Sequence, residues 1–139
     1  MTTVFDVPAD SLIKELAKVL KKEKKVTVPQ WGPFVKTGGD KQKKPDDVNW
    51  WYTRSASLLR KVHVHGPVGI HELQKLYGGK KNRGYKPERR SGASGAVIRN
   101  ILKQLETAEL VEKTSKGRKT SPKGTSLLDK ISSKIQKAS

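Results

Sequence analysis

Three features of the sequence predict a mainly α-helical, winged-helix-like domain with a small β-hairpin as its wing and extra terminal helices. Apolar residues recur at helical spacing in five segments, a basic hairpin signal stands just before the last of them, and 139 residues is the size of one domain. Three helices, then a basic hairpin, then a closing helix is the order of a winged-helix domain, here with additions.

The first helix is predicted from Ser11 to Glu23, where Leu12, Ile13, Leu16, Val19 and Leu20 form one stripe and Lys14, Lys18, Lys21 and Lys22 fall largely on the other side. Asp6 or Asp10 is placed to cap its start, and Pro8 suits a first turn. A long connection follows over about 24–48, rich in glycine and proline and carrying the basic tract Lys41-Gln42-Lys43-Lys44. Connections of this length are usually pinned, and Trp31 and Phe34 are the expected pins, docked on the core. The second helix runs from Asn49 to Val64. It opens on Trp50-Trp51-Tyr52, with one tryptophan expected in the core and the other partly exposed, continues its stripe through Ala56, Leu59 and His63, and ends abruptly at Gly66-Pro67. A short third helix, Ile70 to Tyr77, is expected to bury Leu73, Leu76 and Tyr77.

Between Gly78 and Gly92 all periodicity disappears, in a glycine-rich loop with six cationic residues and one carboxylate. The fourth helix starts near Ser94, with Val97, Ile98, Ile101, Leu102 and Leu105 buried and Arg99 and Lys103 sharing an exposed strip. Leu110 to Thr120 reads as a two-stranded hairpin turning at Ser115-Lys116-Gly117-Arg118. Ser121-Pro122 is an N-cap followed by proline at the first position of the last helix, which turns Leu127, Leu128, Ile131 and Ile135 inward and Lys130, Lys134 and Lys137 outward. Ser94 to Ala108 is then the recognition-type helix and Lys113 to Lys119 the wing.

Only 33% of the residues are hydrophobic, so the core is thin, while 30 Lys+Arg against 13 Asp+Glu give a formal charge of +17 and a pI near 10.2. Such a charge repels itself in the compact state, and a polyanion that neutralises it is the natural partner: nucleic acid, an anionic membrane surface or an acidic protein. The absence of cysteine excludes disulfides, thiolate metal sites and cysteine nucleophiles. No apolar run approaches the about 20 residues that span a bilayer. The first ten residues lack the basic flank and apolar stretch of a secretory signal, which fits a cytosolic or nuclear protein. A membrane-surface role fits poorly, because the basic and apolar residues form no long Trp/Phe-rich amphipathic helix.

No catalytic constellation emerges. Gly79 to Gly84 has the glycine spacing of a phosphate loop, but Tyr85-Lys86 stands where Lys-Ser/Thr is required, so a flexible basic loop is the better reading. His63 and His65 point in different directions on a helix, His71 stands alone, and no carboxylate or thiol cluster completes a metal shell. Asp46 and Asp47, beside Lys43 and Lys44, read as solvated or helix-capping carboxylates rather than an acid–base pair. The expectation is a protein that is not an enzyme and uses no cofactor, metal or small-molecule substrate.

What remains is positive charge arranged for phosphate. Lys80, Lys81, Arg83, Lys86, Arg89 and Arg90 mix donors with glycines that let the backbone approach closely, and the arginine fork holds phosphate oxygens in pairs. Arg54, Arg60 and Lys61 form a second surface, with Trp50, Trp51 and Tyr52 as aromatic support or stacking groups. Lys116, Arg118 and Lys119 on the wing form a third, and Arg99 and Lys103 contribute from the recognition-type helix. The C-terminal lysines read as a solvated face.

The helix stretch Trp50-Trp51-Tyr52-Thr53-Arg54-Ser55-Ala56-Ser57-Leu58-Leu59-Arg60 carries a further signal. With Val28-Pro29-Gln30-Trp31 before it, and Tyr77-Gly78-Gly79-Lys80-Lys81-Asn82-Arg83-Gly84, Pro87, Gly92 to Leu105 and Gly117-Arg118-Lys119-Thr120-Ser121-Pro122-Lys123-Gly124 after it, it resembles the eukaryotic and archaeal small-subunit ribosomal protein family numbered nineteen, the nineteen-e type. The matches run in the same order over nearly the whole chain, while Lys36 to Asp47 departs by being richer in lysine and glycine. The resemblance implies a mostly helical, winged-helix-like protein on ribosomal RNA in the head of the small subunit, beside neighbouring ribosomal proteins, with a role in maturation of the small-subunit RNA precursor. It also implies a cytoplasmic, ribosomal location, nucleolar during assembly in a eukaryote. Arg54, Arg60, Arg83 and Arg99 match positions at or near the family's RNA-facing side. The helix order alone equally permits a winged-helix DNA-binding regulator, although such regulators usually carry a dimerisation or ligand-sensing element for which this sequence leaves no room.

Overall fold

The computed structural model describes residues 3–38, 41, 45 and 49–138. In chain order these form a 3₁₀ turn (Val4–Asp6), α1 (Ala9–Lys22), a second 3₁₀ turn (Gly32–Phe34), α2 (Trp50–His65), α3 (Ile70–Tyr77), β1 (Gly79–Arg83), β2 (Lys86–Ser91), α4 (Gly95–Thr107), β3 (Val111–Thr114), β4 (Gly117–Thr120) and α5 (Pro122–Ala138). The strands make two separate antiparallel hairpins, β1–β2 and β3–β4.

The buried stripes that helical spacing predicts do build the core. Leu12, Leu16 and Leu20 of α1 join Leu58, Leu59 and Val62 of α2, Leu73 of α3, and Leu128 and Ile131 of α5 in one cluster. The five predicted apolar residues of α4 are all in it, with Arg99 and Lys103 left on the exposed side. α1 lies against α2 and α5, and α4 against α2 and α3. Val68, between α2 and α3, exchanges two backbone hydrogen bonds with Arg118 of β4 (3.0 and 2.8 Å), which ties the wing to the helices. The succession α2, Val68, α3, α4, β3–β4 is the winged-helix arrangement, with β1–β2 inserted between α3 and α4, where a simple helix-turn-helix has a short turn.

That insertion corrects the expectation of an irregular loop over 78–92. The register pairs Gly79 with Ser91, Lys80 with Arg90, Lys81 with Arg89 and Arg83 with Lys86. Alternation of apolar and polar residues is absent because Pro87 is the one apolar side chain in the sequence of the two strands, so the period-2 signal has nothing to report.

Several finer expectations also change. α1 starts at Ala9 with Pro8 at its N-cap and no side-chain cap; Asp6 instead accepts a bond from the Thr3 backbone (2.9 Å) inside the preceding turn. Ser121 caps as predicted, accepting from the Gly124 N–H (3.1 Å), and Ser94, at the expected start of α4, also caps by accepting from the Val97 N–H (3.4 Å). Trp50 and Trp51 are both buried, packed edge to face at 5.3 Å, because α1, α2 and the connecting segment all converge there. Of the two expected pins only Trp31 docks, partly, edge-on against Trp51; Phe34 stays 77% exposed. The stronger pin is polar. Gln104 of α4 donates to the Thr27 carbonyl (2.8 Å) and accepts from the Thr27 N–H (3.3 Å) and the Trp51 indole (3.0 Å), while Val26 is buried beside them. In α3 the inward stripe is Ile70, Leu73 and Tyr77, and Leu76 falls at its edge, 43% exposed. The expectations for Lys43, Lys44, Asp46 and Asp47 lie outside the described residues.

Candidate nucleic-acid interface

The end of α3 brings two of the predicted surfaces together. Tyr77 is its last residue, hydrogen-bonded to Ser57 of α2, and only Gly78 separates it from β1. Two cations of α2 lie over its ring: the Arg54 guanidinium at 4.3 Å from the centroid and the Lys61 ammonium at 5.1 Å. Arg60 adds a third positive group on the same helix. Burial, and then the charges of Arg60 and Arg54, hold Lys61 below the usual lysine range. Burial likewise pushes the Tyr77 phenol up, against the Ser57 hydrogen bond and the two arginines. Lys61 thus feels the repulsion of two neighbouring arginines, and an anion arriving there relieves it.

The root of the β1–β2 hairpin is fastened to the same spot. Gln74 of α3 donates to the Ala93 carbonyl (3.1 Å) and its own carbonyl accepts from Ala93 N–H (3.0 Å), while Arg90 donates to the Lys75 carbonyl. Gly78 is required here: a Cβ on it would stand 2.4 Å from the Ser91 carbonyl oxygen. Ser94 N–H bonds to the Thr37 carbonyl (2.7 Å), so the connection from α1 is also fastened at this junction. The result is a groove of about 640 Å³ whose lining includes Lys14, Thr37, Trp50, Arg54 and Tyr77. Beyond it the hairpin projects with Lys80, Lys86, Arg89 and Arg90 exposed.

The wing is different. Lys116 is exposed at its turn, and Lys119 keeps a loose pair with Glu112 at 3.9 Å. Arg118, predicted on the surface, is turned inward: its side chain is only 15% exposed, and Nε donates to Glu106 of α4 at 2.8 Å. Its neighbour in the hairpin is the helix that the wing packs on, so its guanidinium holds the wing rather than reaching outward. Arg99 and Lys103 are exposed along α4 as expected. Of the predicted aromatic groups, Trp50 and Trp51 act as buried support and Tyr52 is half-buried.

Sequence reasoning missed two neighbourhoods. Lys14 of α1 shares the groove with Arg54, and Lys24 and Lys25 come beside Lys103 and Asn100 of α4. These are contacts between distant segments, and no local pattern announces them. A division of labour was available in the sequence but unread: all seven arginines lie between Arg54 and Arg118, so α1 and α5 carry lysine as their only strong cation.

With this geometry in hand, comparison with known proteins decides the family. The family model of ribosomal protein S19e matches residues 3–138. The chain belongs to the ribosomal protein S19e family. Among its relatives, the small ribosomal subunit protein eS19 of Thermoplasma volcanium is 45% identical over 137 residues, 99% of this chain and 91% of the relative. That of Aeropyrum pernix is 46% identical over 138 residues, 97% and 90% of the two chains. The small ribosomal subunit protein eS19G of Ascaris suum is 39% identical over 137 residues, 97% and 93%. For this S19e chain the segments singled out by resemblance coincide with the junction just described: the α2 stretch through Arg54 and Arg60, and the Tyr77–Gly84 run that carries α3 into the hairpin.

Proposed function

We propose that this S19e protein is a non-catalytic, single-domain component of the small ribosomal subunit that binds ribosomal RNA in the subunit head, beside neighbouring ribosomal proteins, and supports maturation and assembly of that RNA. Its place is the cytoplasmic ribosome, with a nucleolar stage in a eukaryotic cell. The observation that carries the reading is the register of β1–β2, which sets cation opposite cation at Lys80/Arg90, Lys81/Arg89 and Arg83/Lys86. Like charges directly opposite destabilise a strand pair. A hairpin so written is stabilised by phosphate, and its root lies beside the second cation cluster of Arg54, Arg60 and Lys61. Together they clamp two RNA segments at a fixed distance. Recognition of this kind reads backbone and shape more than base sequence.

The test is a Lys80→Glu/Arg89→Glu variant, both positions being exposed. Expected outcomes are an unchanged far-UV spectrum, loss of co-migration with small subunits in a high-salt sucrose gradient, and a shallower salt dependence of RNA binding. Each lost phosphate contact flattens the slope by about 0.7 to 0.9. Wild-type chain sedimenting with chromatin and not with subunits would replace this reading with the DNA-binding one.

A further inference from the structure

We propose that Tyr85 is a stacking platform for an unpaired base of the bound RNA. The proposal rests on the RNA-binding reading above and adds a ligand class to it: a bulged or loop nucleotide rather than a continuous duplex.

Tyr85 occupies the tip of the β1–β2 hairpin, in the two-residue turn between the register partners Arg83 and Lys86. Gly84 supplies a positive φ of 72°, and Tyr85 is not among the described non-glycine residues with positive φ. This is the backbone pattern of a tight hairpin turn with glycine at its first central position. The turn fixes where the tyrosine stands but does not require an aromatic there. The ring is fully exposed, at 110% of its reference area, and takes part in no ring contact among the described residues. The other two tyrosines are used by the fold: Tyr52 is half-buried near Lys21, and Tyr77 lies under Arg54 and Lys61. Tyr85 adds nothing to the core, and its exposed ring at the hairpin tip offers apolar area that a partner would gain by covering.

The surroundings select the partner. Lys86 is adjacent and exposed, and Lys80, Arg89 and Arg90 are exposed along the strands behind. An aromatic ring one residue from a cation, on a strand pair lined with cations, matches the two halves of a nucleotide, base and phosphate. A protein hot spot would surround the ring with apolar neighbours, whereas here it is flanked by Gly84, Lys86 and Pro87. Base faces are hidden inside a continuous helix, so only an unpaired nucleotide offers one.

The experiment uses the full-length chain and three RNA hairpins: one with a single bulged adenosine, its fully paired parent, and the bulged form with an abasic site at the bulge. Tyr85→Ser is expected to weaken binding to the bulged RNA about tenfold, within the range of base–aromatic stacking, and to leave the paired and abasic RNAs unaffected. Tyr85→Phe should restore the difference, and the salt slope should be the same for all three proteins. With 2-aminopurine at the bulge, fluorescence should be quenched by wild type and not by Tyr85→Ser. Equal affinity of wild type and Tyr85→Ser for the bulged RNA, or an equal loss on all three RNAs, overturns the proposal while RNA binding stands. Failure of wild type to bind any of them at low salt overturns the RNA-binding reading and this proposal with it.

Discussion

The two hairpins of this protein are close in length and pairing pattern and opposite in how they are held. In β3–β4, Glu112 faces Lys119, Arg118 reaches Glu106, and Val68 adds two backbone bonds along the edge, so the hairpin is a part of the helical body. In β1–β2 three register pairs set cation against cation, and the hydrogen bonds that tie it to α3 lie at its root, around Gln74, Lys75 and Ala93. An isolated two-stranded hairpin is marginal even without internal repulsion. The difference teaches that charge in the wing is used inward, for stability, and charge in the projecting hairpin is used outward, for a partner. Their glycines say the same. A Cβ on Gly117 would come within 2.5 Å of the Val68 backbone, whereas a Cβ on Gly84 meets nothing within 4 Å.

The sharpest way to break the comparison is to substitute those glycines. Gly117→Val forces both a clash and a left-handed φ of 131° on a branched side chain, and should cost on the order of 3 kcal/mol in urea unfolding. Gly84→Val bears only the strain of its φ and should leave the global transition close to wild type, since the strained turn opens locally. Equal losses would mean that both hairpins belong to the body. Next in size, Glu106→Gln removes the charge that faces a nearly buried Arg118 and should cost about 1 to 2 kcal/mol of stability with RNA affinity little changed. Lys80→Glu should act in two directions at once. Opposite Arg90 it replaces repulsion by attraction, slowing amide exchange in the hairpin by an amount worth about 0.2 to 1 kcal/mol, yet it weakens RNA binding. A variant that both stabilises the hairpin and strengthens binding would undo the outward assignment.

The smallest effect concerns Lys61. Its folded pKa is depressed, so the penalty for keeping it charged is present below that pKa and fades as pH rises toward the unfolded value of about 10.5. Lys61→Met should therefore be slightly more stable than wild type at neutral pH, by less than about 1 kcal/mol because water screens a partly exposed ammonium. The two proteins should converge above about pH 10.5, once wild-type Lys61 is neutral in both states. Parallel stability curves across that range would remove the electrostatic account of the cluster.

Legibility in the sequence followed the reach of each signal. The α4 stripe, its start at Ser94 and the Ser121 cap are local patterns and stand where the spacing puts them. The wing turn falls one residue earlier than expected, at Ser115-Lys116, with Gly117 and Arg118 already in β4. Trp50 and Trp51 were ambiguous because adjacent residues on a helix point about 100° apart, and only the convergence of three segments buries both. Phe34 and Trp31 look equivalent in sequence, but docking depends on where the segment crosses Trp51. The β1–β2 hairpin was invisible to hydrophobic periodicity because its strands are written in charge. Arg118 was misjudged for a related reason: a cation on a predicted wing reads as surface until the carboxylate of a distant helix, Glu106, is placed beside it. Gln104, a polar residue on the fourth helix, gives no hint that it fastens Thr27 and Trp51.

The packing of α1 against α5 has a consequence for how the molecule is made. These helices are the most widely separated in sequence of the packed helix pairs, whereas α3 and α4 meet across the β1–β2 hairpin alone. As the chain emerges residue by residue, the middle helices can associate early. The leucine stripe of α1 stays partly uncovered until Leu128 and Ile131 are in place. Closing this helical body thus waits for α5, and a chain truncated before α5 would display part of the Leu12, Leu16 and Leu20 stripe as a sticky face.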